Sequence, residues 1–256
     1  MTNFWKTNHY YLTLNFELKK YKHQYQTIMK KVIVFAIIGV ILLTGCHQTK
    51  AVQYNVDPDQ VFGQHYTAKD FGIWYLLDYD NLFLSLVNAV MERLPEEKQV
   101  AWDTQNGLQF PASDTAAFMN ALRECKLPLL SPNGSKLIPC WLQVSASQEG
   151  LYQFNVCYGD ASGNPIFDGT QVKKCTVEKS DYTGGYEVLM QFDMKTADQW
   201  QKFTAANVHK RVGMILGTDR LLSAPQIMCE IAGGACCISG TTEEECYALA
   251  NILNKK

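Results

Sequence analysis

Between Asp80 and Leu94, the apolar residues follow the spacing of an amphipathic helix. They form two adjacent rows at i, i+4 and i+8, namely Leu82, Leu86 and Val90, and Phe83, Val87 and Met91. Such a face is typical of a helix that packs against a core, because a helix gains most of its stability by burying it. Asp78 or Asp80 can cap the start of this helix, and Pro95 ends it.

The next elements are a second helix and two strands. Pro111-Ala112-Ser113 opens the helix, and Ser113 is its expected N-cap. Leu137 to Ser145 and Leu151 to Tyr158 predict two strands joined by a turn. Aromatic residues share one face of the second strand, and a half-buried strand is favoured over a binding platform for a sugar or peptide.

The C-terminal part continues with shorter elements. Residues 186–192 alternate between apolar and polar along a strand, and Thr196-Ala197-Asp198-Gln199 has the capping-box form at the start of a helix. The remaining elements are a strand from Arg211 to Leu216, a returning strand from Leu221, a strand starting near Ala235, and a last helix capped by Thr241 and Glu244.

The run from Gly159 to Pro165 is the expected boundary between two parts of the chain, because it concentrates Gly, Pro and small polar residues. We therefore expect an α/β region over residues 70–160 and a second domain over residues 165–254. The predicted fold class is α+β, with helices packed on one face of a mostly antiparallel sheet.

The N-terminal segment has the pattern of a secretory signal. Met29-Lys30-Lys31 precedes an apolar run of 12 residues from Val32 to Leu43. A membrane-spanning helix normally requires about 20 apolar residues, so the run is short for an anchor. Leu43-Thr44-Gly45-Cys46 resembles the bacterial lipobox, whose Cys is acylated and becomes the new N-terminus.

We therefore predict a signal peptide over residues 29–45 and a lipidated Cys46 as the first residue of the mature protein. Residues 1–28 are expected to lie upstream of the true start at Met29. Residues 46–69 are polar with scattered apolar positions, so we expect a tether that holds the folded part away from a bacterial membrane.

The charge balance argues against nucleic acid as a partner. The formal net charge is −2 over 256 residues. Residues 1–46 hold six lysines and one glutamate, and the rest of the chain carries 17 Lys+Arg against 24 Asp+Glu, a net charge of −7. Binding to phosphates requires clustered positive charge, which this composition does not supply.

The stretch from Asn207 to Gly240 carries an ordered set of motifs: Val208-x-Lys210, Ile215-Leu216, Ser223-Ala224-Pro225-x-Ile227, Ile231-x-Gly233-Gly234 and Ile238-x-Gly240. In this order they resemble the periplasmic head subdomain of the SecD/SecF protein-export family. The resemblance extends over residues 165–254, about a third of the chain. It implies a head-like fold and a place in the cell envelope.

The sequence departs from the family at several points. His209 stands where the family usually has Gly, and the turn after Leu216 is about one residue longer and lacks the usual Asp-Gly. Family members that export proteins carry multiple membrane helices, whereas no apolar run near 18 residues follows Cys46. The resemblance therefore implies a head-like module on a lipid tether. It does not imply the membrane-embedded part that drives export in the family.

Nine cysteines allow more than one interpretation. With Cys46 assigned to a lipid, the even remainder is compatible with one or two disulfides, although several occupy apolar positions where a free thiol behaves as a small hydrophobe. Cys236 and Cys237 are adjacent in a strand and are expected to face opposite sides of the sheet. The sequence contains no C-x-x-C and no His pair at ligand spacing, so we expect no metal.

Catalytic signatures such as G-x-S-x-G, H-E-x-x-H and the P-loop are absent from the sequence, as is a dinucleotide fingerprint, and we expect neither an enzyme nor a cofactor. The favoured function is non-catalytic binding of an unfolded polypeptide or an envelope protein, linked to protein export. A structural scaffold without a dissociable ligand is the alternative, and a thiol-based or hydrolytic enzyme is the third hypothesis.

Short strands can accept an extended peptide along an open edge, where the backbone supplies affinity. We expect such an edge near the break at Ser223-Ala224-Pro225 and the strand that starts near Ala235. The candidate binding residues are Ser223, Ala224, Pro225, Gly233 and Gly234. At least one of the two glycines is expected to have a positive φ or to lie against another backbone.

Overall fold

The computed structural model describes residues 52–100, 107–125, 130–144, 150–181 and 184–255 of the chain. The α-helices in these ranges are α1 Pro58–Phe62, α2 Asn81–Met91, α3 Ala112–Glu124, α4 Met194–Ala206 and α5 Glu243–Asn254. The strands are β1 Phe71–Leu76, β2 Gln109–Pro111, β3 Leu137–Gln143, β4 Leu151–Tyr158, β5 Phe167–Asp168, β6 Val172–Lys179, β7 Tyr186–Phe192, β8 Val212–Leu216, β9 Arg220–Ser223 and β10 Ala235–Ser239. The predicted α+β class is confirmed.

Seven of the strands form one sheet, in the order β2-β4-β3-β9-β8-β1-β5, and β1 also pairs with β4. This extra pairing joins Tyr75 to Tyr158 and Leu76 to Cys157, and it closes β1, β4, β3, β9 and β8 into a five-stranded ring. The pairings in the ring are antiparallel except for the short parallel contact between β3 and β9. Because the ring is closed, its five strands expose fewer unpaired edges than an open sheet of the same strands would.

A small core fills the ring, with one buried residue from each of its five strands: Leu76, Cys140, Cys157, Ile215 and Leu221. Because side chains alternate between the two faces of a strand, this cluster identifies the inner face of the ring. The Sγ of Cys140 points at the Sγ of Cys157 at 3.6 Å, and both side chains are fully buried.

Gly213 of β8 also faces the ring core. A Cβ at this position would overlap the Sγ of Cys157 and would lie 3.1 Å from Cδ1 of Leu221. Protein interiors are packed too densely to absorb such an overlap without movement. The ring therefore closes around a residue that has no side chain.

Two further cores cover the outer face of the ring. The outer faces of β3 and β4 pack against α2 and α3 through four residues: Leu137, Trp141, Phe154 and Val156. Residues of β1, β8 and β9 join a larger core together with α4 and α5, namely Phe71, Ile73, Val212, Met214, Leu216 and Leu222. Most residues of the central strands are buried because both faces of the sheet are covered.

The remaining strands form a separate antiparallel sheet in the order β10-β7-β6. Val188, Met190 and Phe192 of β7 point into the larger core, where they join Trp200 of α4 and Leu249 of α5. The opposite face of this three-stranded sheet carries Glu187, Leu189 and Gln191, which are partly exposed. The small sheet thus has one buried and one solvated face.

The start of α2 agrees with the prediction from the sequence. The Oδ1 of Asp80 accepts hydrogen bonds from the backbone N–H groups of Leu82 and Phe83 at 2.9 and 3.1 Å. The prediction for α3 was wrong, because this helix begins at Ala112 and its N-cap position is Pro111, not Ser113. Pro111 ends β2 and directs the chain into the helix without a capping side chain.

The predicted caps of α4 and α5 were also wrong in position. Asp193 caps α4, and its Oδ1 accepts a hydrogen bond from the N–H of Thr196 at 2.8 Å, so Thr196 lies inside the first turn. Thr242 caps α5 and forms a capping box with Glu245, one residue after the predicted pair. Each run of polar residues offers several capping oxygens, and the approach of the preceding strand selects among them.

Residues 52–69, which end the predicted tether, pack against α5. The N–H of Tyr54 donates to Oδ1 of Asn251 at 2.8 Å, and Nδ2 of Asn251 donates to the carbonyls of Tyr54 and Val56, both at 2.9 Å. Phe62 is buried in the larger core. The tether over residues 46–69 stays a prediction, and within its described part the buried amide of Asn251 and the ring of Phe62 connect the segment to the fold.

The signal peptide, Cys46, residues 1–28 and the first part of the tether lie outside the described residues. The division into residues 70–160 and 165–254 stays a prediction. The ring takes β1, β3 and β4 from the first part and β8 and β9 from the second.

The ring core generates a stability prediction. Gly213→Ala should lower the free energy of unfolding by about 1–3 kcal/mol, since the added methyl group overpacks a filled core. Urea denaturation followed by circular dichroism measures this. In a Cys157→Ala background, which removes the overlapping sulfur, the loss caused by Gly213→Ala should be smaller. Equal losses in the two backgrounds would contradict the assignment of this contact.

Candidate functional site

The two outer edges of the small sheet differ in how their backbone groups are satisfied. On β6, the N–H of Cys175 donates to Oδ1 of Asn254 at 2.9 Å, and the carbonyl of Cys175 accepts from Nδ2 of the same side chain at 2.9 Å. The N–H of Val177 donates to the hydroxyl of Tyr54 at 2.8 Å. The carboxamide of Asn254 thus makes the two hydrogen bonds that a peptide group of a neighbouring strand would make. Together, Asn254 and Tyr54 cover the β6 edge at Cys175 and Val177.

The same bonds fix the direction of the backbone groups across the sheet. Cys175 and Val177 face away from β7, so their partners Met190 and Val188 direct their N–H and C=O groups towards β10. In β10 these two residues meet Cys236 and Ile238. Successive residues alternate, so Ala235, Cys237 and Ser239 direct their backbone groups outward.

Part of this outward row of β10 already has partners. The carbonyl of Ala235 accepts a hydrogen bond from Nε1 of Trp200 at 3.1 Å. The N–H of Cys237 interacts with the Sγ of Cys236, which is a weak acceptor. In the described ranges, no strand pairs with the outer side of β10. We call the outward carbonyl of Cys237 and the outward N–H and carbonyl of Ser239 the open edge.

The solvated face beside the open edge is shallow. The three β10 residues on this face, Ala235, Cys237 and Ser239, all have small side chains. They lie opposite Gln191, Leu189 and Glu187 of β7. The Cys237 thiol donates to Oε2 of Glu187 at 3.6 Å. The adjacent Cys236 packs against the buried core on the other face, which confirms that the two cysteines face opposite sides.

The predicted glycine turn directly precedes β10, which begins at Ala235. Gly233 and Gly234 have φ values of 77° and 73°, so the prediction of positive φ is confirmed. A Cβ on Gly234 would lie 2.6 Å from the Cβ of Ala197 on α4, whereas a Cβ on Gly233 would meet nothing within 4 Å. Gly234 therefore permits close contact with α4, and Gly233 serves the turn through its backbone conformation.

The Ser223-Ala224-Pro225 segment lies elsewhere, as the continuation of the β8–β9 hairpin. The carbonyl of Pro225 accepts from the N–H of Val212 at 3.0 Å, and the N–H of Ile227 donates to the carbonyl of Lys210 at 2.9 Å. Pro225 fits an edge position because it has no N–H to donate. The backbone pairing of this segment is with β8 and the residues before it, whereas β10 pairs with β7.

His209 sits at the end of this extended hairpin with a φ of 69°, and among the described residues it is the sole non-glycine in the left-handed region. Its backbone N–H donates to the carbonyl of Ile227 at 2.7 Å. Any side chain is less favourable than Gly in this conformation, although Asn, Asp and His adopt it more often than other residues. The departure noted in the sequence therefore falls at a position whose backbone favours Gly.

A groove of about 270 Å³ lies where the end of β10 approaches β3 and β9. Arg220 forms an ion pair with Glu245 in the groove, and its guanidinium carbon lies 4.9 Å from the centre of the Phe62 ring. The other lining residues include Trp141, Leu222 and Thr241. The sequence did not predict this groove, because its walls come from segments that are distant along the chain.

The described cysteines all carry free thiols. Burial raises the pKa of Cys236 to about 12, and it raises the pKa of Cys140, Cys175 and Cys237 as well. A thiol with a raised pKa stays protonated near neutral pH and is a poor nucleophile. Within the described residues, no three His, Cys, Asp or Glu side chains come together in a way that could hold a metal ion.

The comparison with known families matches the C-terminal part of the chain. Residues 158–255 match the family model described as SecDF, P1 head subdomain. The resemblance predicted from the sequence over residues 165–254 is thus confirmed, and this part of the chain is similar to a SecDF head. The predicted order of strand, helix, three strands and helix is present as β7, α4, β8, β9, β10 and α5.

Solved structures of SecDF resemble the chain at low sequence identity. One, of SecDF as a membrane component that enhances protein export, has a TM-score of 0.34 and 18% identity, over 72% of this chain and 92% of that one. SecDF in a super-membrane-facing form and the translocon-associated SecDF from Thermus thermophilus have TM-scores of 0.34 and 0.32, at 15% and 14% identity. In both cases the match covers 90% of this chain but 33% of the other.

No curated protein matches the chain. None of the helices in the described ranges has both the length and the apolar character that crossing a membrane requires.

Proposed function

We propose that this protein is a non-catalytic envelope lipoprotein that binds an extended polypeptide along the open edge of β10, in a role linked to protein export. Within this proposal, residues 165–254 form the head-like domain that carries the open edge. Residues 70–160 supply the strands that complete the ring beneath it.

The observation that carries the proposal is the difference between the two edges of the small sheet. Asn254 and Tyr54 cover β6, and no described strand pairs with the outer side of β10. Proteins usually cover or block exposed strand edges, because an unpaired edge invites pairing with another chain. An edge left open beside a covered one therefore favours a site for β-strand addition.

The link to export is supported by the match to the SecDF P1 head subdomain and by the description of SecDF as a component that enhances protein export. A domain that assists export meets its substrates as unfolded chains. Binding through backbone groups suits such substrates, because every polypeptide offers the same N–H and C=O groups whatever its sequence.

The proposed anchor is a lipid on Cys46. Leu43-Thr44-Gly45-Cys46 and the short apolar run before it support this assignment. Membrane attachment through acyl chains would hold the open edge near the site where exported chains emerge, without a membrane-spanning helix.

The edge proposal is tested by Ser239→Pro. Proline removes the outward N–H of Ser239 but is tolerated at an unpaired strand position, so the melting temperature should change little. Affinity for an alkylated, permanently unfolded polypeptide, measured by fluorescence anisotropy, should fall by roughly threefold to tenfold, the equivalent of about one lost hydrogen bond.

The matched control is Lys179→Pro, which makes the same backbone change at an exposed, outward-facing position on β6. This variant should bind as well as the unmodified protein. If Ser239→Pro binds the unfolded polypeptide with unchanged affinity, the open edge is not the binding site.

The anchor is tested by Cys46→Ser expressed in a bacterium. The variant should lose its acyl mass and pass from the membrane fraction to the supernatant, with an unchanged circular dichroism spectrum. Intact mass spectrometry checks the first result and fractionation the second. A mature protein that retains residues 1–45 and carries no acyl group would refute the lipoprotein assignment.

A further inference from the structure

The solvated face of the small sheet is organised in rows that end at the open edge. One row joins Glu178 of β6, Glu187 of β7 and Ser239 of β10. The next joins Thr176, Leu189 and Cys237. A strand added to β10 would continue each row with one of its own side chains, because residues opposite each other in a sheet share a face.

The small residues of β10 bring β7 within reach of the added strand. Neighbouring strands lie about 4.8 Å apart, so the backbone of an added strand would run about 10 Å from β7. An extended Lys or Arg side chain can lie over Ser239 and reach diagonally to the carboxylate of Glu187, whose Oε2 also accepts from the Cys237 thiol at 3.6 Å. A medium-sized apolar side chain can lie over Cys237 and contact Leu189, which is half-buried.

The charges along the rows are uneven. Glu178 and Glu187 lie directly opposite each other, an arrangement in which like charges destabilise the pair. A cation that joined this row would offset that repulsion. The row that contains Ala235 has Lys174 at its far end and the neutral Gln191 in the middle, so it offers a cation no comparable partner.

From this geometry we propose that the open edge selects extended polypeptide segments in which a basic residue and an apolar residue stand two positions apart. The apolar side chain lies over Cys237 against Leu189, and the basic side chain lies over Ser239 towards Glu187. The inference rests on the proposed function, since it describes the side-chain preference of the same edge.

The order of the two residues reports the direction of the bound strand. In a segment antiparallel to β10, the residue over Ser239 precedes the residue over Cys237, so the basic residue comes first. In a parallel segment the apolar residue comes first. Edge pairing to an antiparallel sheet favours the antiparallel direction, and we therefore expect Lys-x-Leu to bind better than Leu-x-Lys.

The experiment measures dissociation constants of the full chain for fluorescent peptides that share a Thr- and Val-rich sequence. They differ in a central Lys-x-Leu, Leu-x-Lys, Glu-x-Leu or Thr-x-Leu. At low ionic strength, the Lys-x-Leu peptide should bind roughly fivefold to tenfold tighter than the Glu-x-Leu peptide, because an attractive exposed contact replaces a repulsive one and the two effects add. At about 0.5 M salt the difference should shrink.

Substitutions in the protein assign the preference to one carboxylate. Glu187→Gln should bring the Lys and Glu peptides within about twofold of each other, and Glu187→Lys should reverse their order. The control Glu92→Gln changes an exposed carboxylate at the end of α2 and should leave the preference unchanged. Thermal unfolding of each variant confirms that it is folded.

The outcomes separate the two proposals. Equal binding of all four peptides, or a preference that survives Glu187→Gln, would overturn the selectivity and leave the edge as a general strand-binding site. If none of the peptides binds, the proposed function fails and the selectivity fails with it.

Discussion

The closure of the five-stranded ring is the constraint on which the rest of the structure depends. β1 pairs with β4 while Gly213 of β8 lies against the ring core, and the absence of a side chain at Gly213 permits this packing because a Cβ there would overlap the Sγ of Cys157. The ring combines strands that are distant in the sequence, so its closure fixes both the N-terminal and the C-terminal parts of the chain. The small sheet and the helices α4 and α5 pack on the outer face of β1, β8 and β9.

In the small sheet, the two outer strands are held in different ways. Its β6 side is tied to α5 through Asn254 and to the segment before β1 through Tyr54, and these two side chains supply hydrogen bonds that a further strand would supply. Its β10 side is held at one end by Trp200 and by the Gly233-Gly234 turn. A strand that is fixed at one end and has outward backbone groups is a suitable template for an extended chain, because a pre-ordered binding segment loses less entropy on binding.

Local patterns were sufficient to predict most elements, including α2, with a cap at Asp78 or Asp80, and the positive φ in the Gly233-Gly234 turn. They could not predict that β8 and β9 join one sheet while β7 and β10 form another, because strand pairing depends on contacts between distant residues. For the same reason, two of the five candidate binding residues lie in the turn before β10, and the other three lie at the end of β9 and in its continuation. Prediction of the covered β6 edge would have required knowledge that the last helix lies beside it.

The most direct test of the account is amide hydrogen exchange across the small sheet of the isolated protein, resolved by residue with NMR. The amides of Cys175 and Val177, which donate to Asn254 and Tyr54, should be protected, whereas the amide of Ser239 should exchange rapidly. Addition of an unfolded polypeptide should slow exchange at Ser239 and leave Cys175 and Val177 unchanged. Strong protection of Ser239 in the isolated protein would show that the edge is already covered and would contradict the account.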